Sequence, residues 1–126
     1  GFSDRIAVQG GDFTVDPFPD DVDVVVMASN LPQYNAGILR DILAKAFEAL
    51  VPGGDMHLVG EMLDDDRAGP VDAAIWGLNE ALFNSTGLAH SRAQCIDYME
   101  GAGFADVAAH EFVPGVLVRV GGHKPA

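Results

Sequence analysis

Cysteine is nearly absent: Cys95 is the only one in 126 residues, so no internal disulfide can form and no oxidising compartment is required. Its place in a helical pattern makes it a packing residue rather than a reactive thiol. Basic residues are also scarce, with 7 Lys and Arg against 19 Asp and Glu and a formal net charge of −12. A surface of that sign repels phosphate backbones, so no nucleic-acid partner is expected. No apolar run is long enough to span a bilayer, and no membrane partner is expected either. A basic-then-apolar leader is missing from the start. Repeats, low-complexity tracts and linkers are missing too, which points to one domain over 1–126. The histidines His57, His90, His110 and His123 show no metal-ligand spacing, so no metal site is expected. What remains is the expectation of a soluble, cytoplasmic domain, long enough to bury a core.

Apolar residues make up 48% of the chain, and their spacing divides it into elements. Arg5 to Gln9 alternates toward a strand and stops at Gly10-Gly11-Asp12. Pro17 and Pro19 exclude regular structure ahead of Val22 to Met27. The nearly continuous valines of that run suit a strand covered on both faces, as in a parallel sheet. From Ala36 to Val51 the period is helical, with Ile38, Leu39, Ile42, Leu43, Ala46, Phe47 and Leu50 on one face. Pro52-Gly53-Gly54 ends it. Met56 to Met62 predicts a third strand, Asp64 to Pro70 a charged loop, and Val71 to Phe83 a helix with Ile75, Leu78 and Leu82 on one face. After a break at 84–87, Ser91 is the expected N-cap of a helix through Glu100, closed by Gly101-Ala102-Gly103. Val107 to Val113 and Val116 to Val120 are strands joined at Pro114-Gly115 in a hairpin-like turn.

That order is α/β with a partly antiparallel edge. One connection is anomalous. Only a proline-broken loop separates the first strand from the second, whereas parallel neighbours need a longer crossover. Either the first strand lies away from the second, or part of the sheet is absent. Three landmarks in fixed order then carry a resemblance: "VQGGDFTVDPFP", "ILAKAFEALVPGGDMHLVGEML" and "YMEGAGFADVAAHEFVPGVLVRVGGHKP". Together they resemble the carboxy-terminal catalytic part of the S-adenosylmethionine-dependent O-methyltransferases of the plant caffeate and bacterial polyketide type. The resemblance runs over almost the whole chain. It implies a Rossmann-like class I methyltransferase sheet with a C-terminal antiparallel hairpin. In such relatives the first two strands, with a glycine-rich loop and a ribose-binding acid, and a helical dimerisation domain come before this point. The chain is therefore expected to be a truncated C-terminal part of a catalytic domain whose full-length form is a homodimer.

The resemblance also assigns residues. Asp12 and Phe13 would bracket the cofactor's adenine, the carboxylate accepting from its amino group with oxygens that carry no competing donor. On its own, Gly-Gly-Asp is ordinary turn chemistry. Ala28 and Ser29, at the end of the valine strand, would fall at the adenine side. The family's general-base histidine falls on Pro32, which has no titratable group. Asn30 and Tyr34 stay as hydrogen-bonding candidates for the acceptor, whereas Gln33 and Asn35 read as helix-start residues. Glu61 stands where relatives hold a glutamate that orients the histidine. His90 is the nearby group with a pKa suited to base chemistry, so His90 with Glu61 is the expected catalytic pair, against capping or exposure as the ordinary role of His90. Trp76, Asn79, Glu80 and Phe83 recur at helical spacing. Trp76 and Phe83 are expected in the core, and Asn79 and Asn84 are expected to face a ligand.

The implied function is methyl transfer from S-adenosylmethionine to a small-molecule acceptor, foremost a hydroxyl oxygen. Such an in-line displacement depends largely on positioning. The alternative is a non-catalytic methyltransferase-like fragment or subunit that needs a partner chain or its missing N-terminal half. A dehydrogenase has little support, because no Gly-x-Gly-x-x-Gly follows any strand.

Overall fold

Val22–Ala28 (β1) and Leu50–Gly60 (β2) are parallel neighbours, with Val24 opposite Asp55 and Ala28 opposite Val59. The crossover that a parallel pair requires is the helix Ala36–Ala49 (α1). Asn35 fixes its start, the Oδ1 accepting from the Ile38 amide at 3.1 Å. Leu39, Ile42, Leu43 and Ala46 point into the core from this helix, as their spacing predicts. These are features of a computed structural model, which describes residues 1–84 and 86–126; Ser85, inside the break expected at 84–87, lies outside the described residues.

Val71–Phe83 forms α2 and Arg92–Gly101 forms α3. The second of these begins in a capping box. Ser91 Oγ accepts from the Gln94 amide at 3.2 Å while Gln94 Oε1 accepts from the Ser91 amide at 2.9 Å. Ala105–Val113 (β3) and Leu117–His123 (β4) make the expected hairpin, and β4 pairs antiparallel with β2. The sheet order is β1-β2-β4-β3. Its core side carries Met27, Met56, Leu58, Val118 and Val120, closed by α1 and by Cys95, Tyr98 and Met99 of α3. Each large apolar side chain so buried contributes about 1.5–3 kcal/mol. Among the described residues no helix is long and apolar enough to cross a membrane.

Several expectations need correction. Trp76 and Phe83 are not in the core but 48% and 84% exposed. The helix expected to reach Val51 stops at Ala49, and Leu50 to Gly54 belong to β2. Arg5–Gln9 is not a strand; it runs as exposed irregular chain. A strand exists only through a neighbour's hydrogen bonds, and none of the described strands pairs with it. The valine strand is not covered on both faces, since Val24 and Val26 are 51% and 59% exposed at the sheet's edge. Nor does α2 bury its expected face. Ile75, Leu78 and Leu82 are 59%, 61% and 73% exposed, while Ala73 and Gly77 are buried. The apolar residues of α2 encircle the helix, so periodicity alone could not choose the side. Close approach chose it: Cα and N of Ala89 lie 2.9 Å from where a Cβ on Gly77 would stand, and only glycine admits that contact.

Candidate functional site

Both parallel strands end on one side, β1 at Ala28 and β2 at Gly60, and ligands of open α/β sheets bind beyond such carboxyl ends. Ser29 carries the ladder one residue further, its amide donating to Val59 O at 2.9 Å with φ at +61°. Leu31–Gln33 is a short 3₁₀ turn in which Leu31 and Pro32 are buried. Successive carbonyls of this turn are then held from the chain that follows α2. Pro32 O accepts from the Leu88 amide at 2.9 Å. Gln33 O accepts from Asn84 Nδ2 at 3.0 Å and from the Thr86 hydroxyl at 2.6 Å. Tyr34 O accepts from His90 Nε2 at 2.7 Å.

A second loop meets the first. Asp12 Oδ1 accepts from the amide and the hydroxyl of Thr14, at 3.0 and 2.6 Å, so the turn here begins at Asp12 and runs forward from it. Those two bonds, and then the charge of Lys45, hold the Asp12 carboxyl below its ordinary range. Lys45, on α1, also ties this loop down by donating to Phe13 O at 2.6 Å and to Asp16 O at 2.9 Å. The Phe13 ring meets the Tyr34 ring edge-on, centroids 5.5 Å apart, so the two loops join through an aromatic pair. Beside it runs a cleft of about 610 Å³ along the open edge of β1, lined in part by Phe13, Val24, Val26, Ala28 and Asn30. Asn30 Oδ1 is buried there without a hydrogen-bond partner among the described residues.

Phe13, Ala28 and Asn30 thus share one cleft; Tyr34 packs on Phe13, and Asp12 and Ser29 are chain neighbours of lining residues without lining it themselves. His90 and Glu61 do not form the expected pair. His90 is buried and both ring nitrogens are taken, Nε2 by Tyr34 O and Nδ1 by the Tyr98 hydroxyl at 3.2 Å. The local reason is pairing of 62–64 with 90–92: Leu63 N donates to His90 O at 2.9 Å and Arg92 N to Leu63 O at 3.1 Å, and the imidazole turns inward between the loop and α3. Burial, and then the charge of Arg67, push the His90 pKa down against the raising effect of the Tyr34 carbonyl. Glu61 is half-buried just past β2. Asn84 spends its amide within the fold, on Gln33 O and Thr86, while Asn79 is half-buried on α2.

Two participants were not singled out from sequence. Lys45 acts on main-chain carbonyls, which leave no trace in sequence spacing. Glu80 was visible only as a member of the helical series with Trp76, Asn79 and Phe83. The Tyr34 hydroxyl is held protonated by burial first and then by the carboxylates of Asp12 and Glu80.

Residues 1–105 match the family model of the O-methyltransferase domain, and the chain belongs to that family. The 3-hydroxy-5-methyl-1-naphthoate 3-O-methyltransferase of Streptomyces sahachiroi is 34% identical over 125 residues, covering 98% of this chain and 36% of the relative. The L-tyrosine C(3)-methyltransferase of Streptomyces lavendulae is 37% identical over 109 residues, covering 82% and 29%. Human N-acetylserotonin methyltransferase, solved in complex with S-adenosylmethionine, matches with a TM-score of 0.85 at 25% identity, covering 100% of this chain and 36% of that one. The chain spans about a third of the length of these relatives. Its sheet with the terminal hairpin is the corresponding part of the class I methyltransferase fold.

Proposed function

We propose that the chain provides the adenine end and one acceptor wall of an S-adenosylmethionine-dependent methyltransferase acting on a small molecule, with a hydroxyl oxygen as the accepting atom. The observation that carries this is the Phe13–Tyr34 ring contact, which joins the Asp12–Phe13 loop to the turn that follows the carboxyl end of β1. The residues present fit the cofactor's base. Asp12 offers an ionised acceptor, Phe13 and Ala28 offer apolar contact, and Asn30 Oδ1 is a buried acceptor that still lacks a donor. When bound, the cofactor supplies an electrophilic methyl group on a sulfonium.

Pro32 stands where the family resemblance puts the general base, and His90 has no free nitrogen. We assign the acceptor's proton to Glu61 and leave most of the rate to alignment of the acceptor oxygen with the methyl carbon. That division suits an acidic phenol, whose proton is given up easily. The test is incubation of the full-length polypeptide with methyl-labelled S-adenosylmethionine and a panel of hydroxylated aromatic acids. Label recovered as an aryl methyl ether supports oxygen transfer, and label on carbon or nitrogen reassigns the acceptor atom.

The second reading, a segment that binds cofactor only with further strands, is favoured by the exposure of Val24 and Val26 on the unpaired edge of β1. Calorimetry on residues 1–126 and on the full-length polypeptide separates the two. Heat from the longer chain alone supports dependence on the added strands. A homodimer and a cytoplasmic location belong to the same proposal, and the exposed stripe Ile75, Leu78 and Leu82 supports an interface on α2. Light scattering of the full-length polypeptide tests the dimer.

A further inference from the structure

We infer that His90 is a positioning residue of the cofactor loop, acting through the Tyr34 carbonyl to set the Tyr34 ring against Phe13. This rests on the methyltransferase reading above and gives His90 a role different from the base expected from sequence.

A carbonyl oxygen only accepts, so the proton sits on Nε2 of His90 and Nδ1 offers its lone pair to the Tyr98 hydroxyl. Donation runs one way, from Tyr98 O–H to His90 and from His90 N–H to Tyr34 C=O. Tyr98 is itself fixed on α3, buried, with the Arg40 guanidinium of α1 4.9 Å over its ring. The relay therefore ties the turn to the rigid core. Asn84, Thr86 and Leu88 hold the two preceding carbonyls. Three consecutive carbonyls, Pro32 to Tyr34, are fixed by the chain that follows α2, and the Tyr34 ring packs on Phe13 with centroids 5.5 Å apart. That ring pair is the joint between the Asp12 loop and the strand-end turn. A turn fixed by backbone contacts presents its side chains with little residual freedom, and pre-organisation of this kind raises affinity without adding a contact to the ligand.

The experiment uses the full-length polypeptide with S-adenosylhomocysteine as probe. Amide exchange is followed at Gln33 and Tyr34, with Leu58 of β2 as the core reference. His90→Phe keeps a buried ring but removes the donor. It is expected to speed exchange at Gln33 and Tyr34 by about tenfold, leave Leu58 unchanged, and weaken the probe about five- to tenfold. His90→Gln, which restores an N–H donor, is expected to recover part of both effects. Unchanged exchange at the loop, acceleration spread equally to Leu58, or faster loop exchange with unchanged probe affinity each overturns the inference. If His90→Phe does not fold, Tyr98→Phe, which removes the hydroxyl bonded to His90 Nδ1, carries the same comparison. A wild-type polypeptide that binds no probe removes the methyltransferase reading and the cofactor role of His90 together. The exchange arm still reports whether His90 holds the turn.

Discussion

His90 and the Tyr34 carbonyl meet at 2.7 Å across 56 residues of sequence, with the imidazole as donor. The bond joins the chain following α2 to the turn following β1, and it requires only a neutral ring. Burial disfavours protonation of the ring, which makes His90 a reporter of acid sensitivity.

The folded-state pKa of His90 lies below its ordinary 6.5. Below that ordinary value the unfolded chain therefore binds more protons than the folded one. The His90 contribution is fully present above the unfolded pKa and is lost as pH falls from there toward the folded pKa. Urea midpoints between about pH 7.5 and 5.5 should fall more steeply for the wild type than for His90→Gln. Parallel curves would mean that His90 titrates alike in both states.

Gly77→Ala should destabilise by about 1–3 kcal/mol, although alanine in a helix interior gains about 1 kcal/mol over glycine. The added methyl would overlap Ala89, with Ala89 Cα and N only 2.9 Å away. Gly101→Ala is the control, because nothing lies within 4 Å of its would-be Cβ. It should be neutral or stabilising by up to about 1 kcal/mol. Urea denaturation of both variants checks the opposite signs.

Cys95 should be inert to an aromatic disulfide reagent in the native protein at mildly alkaline pH and should react after denaturation. Its thiol is buried, and burial pushes its pKa up to about 12, leaving almost no thiolate. Rapid native labelling would show that α3 opens readily.

Lys45→Met should leave the fold in place while freeing the Asp12 loop, since Lys45 holds Phe13 O and Asp16 O. The expected result is cofactor binding weaker by about three- to tenfold, with faster proteolysis at 10–18. Unchanged affinity and cleavage would mean that the loop holds its shape without Lys45.

Periodicity located α1 and α2; α3, through its Ser91 cap and glycine close, and the terminal hairpin were legible because local chemistry decides them. What failed was decided at long range. Arg5–Gln9 has the alternation of a strand, but alternation cannot provide a neighbour to pair with. In α2, Ile75, Leu78 and Leu82 had the strongest apolar pattern, yet the contact went to Ala73 and Gly77, where small size permits close approach. The meeting of Asp12 and Phe13 with the strand-end turn followed from the family resemblance. His90 was read as a base from its residue type, and its bonds to Tyr34 and Tyr98 were not legible because those partners come from separate elements.

The most direct measurement is calorimetric titration of S-adenosylhomocysteine into the full-length polypeptide and its Asp12→Ala variant. Binding by the wild type and a loss of about tenfold or more in the variant are expected, with Asp12→Asn between them. No binding by the wild type, or equal affinity in wild type and Asp12→Ala, would contradict the proposed cofactor site.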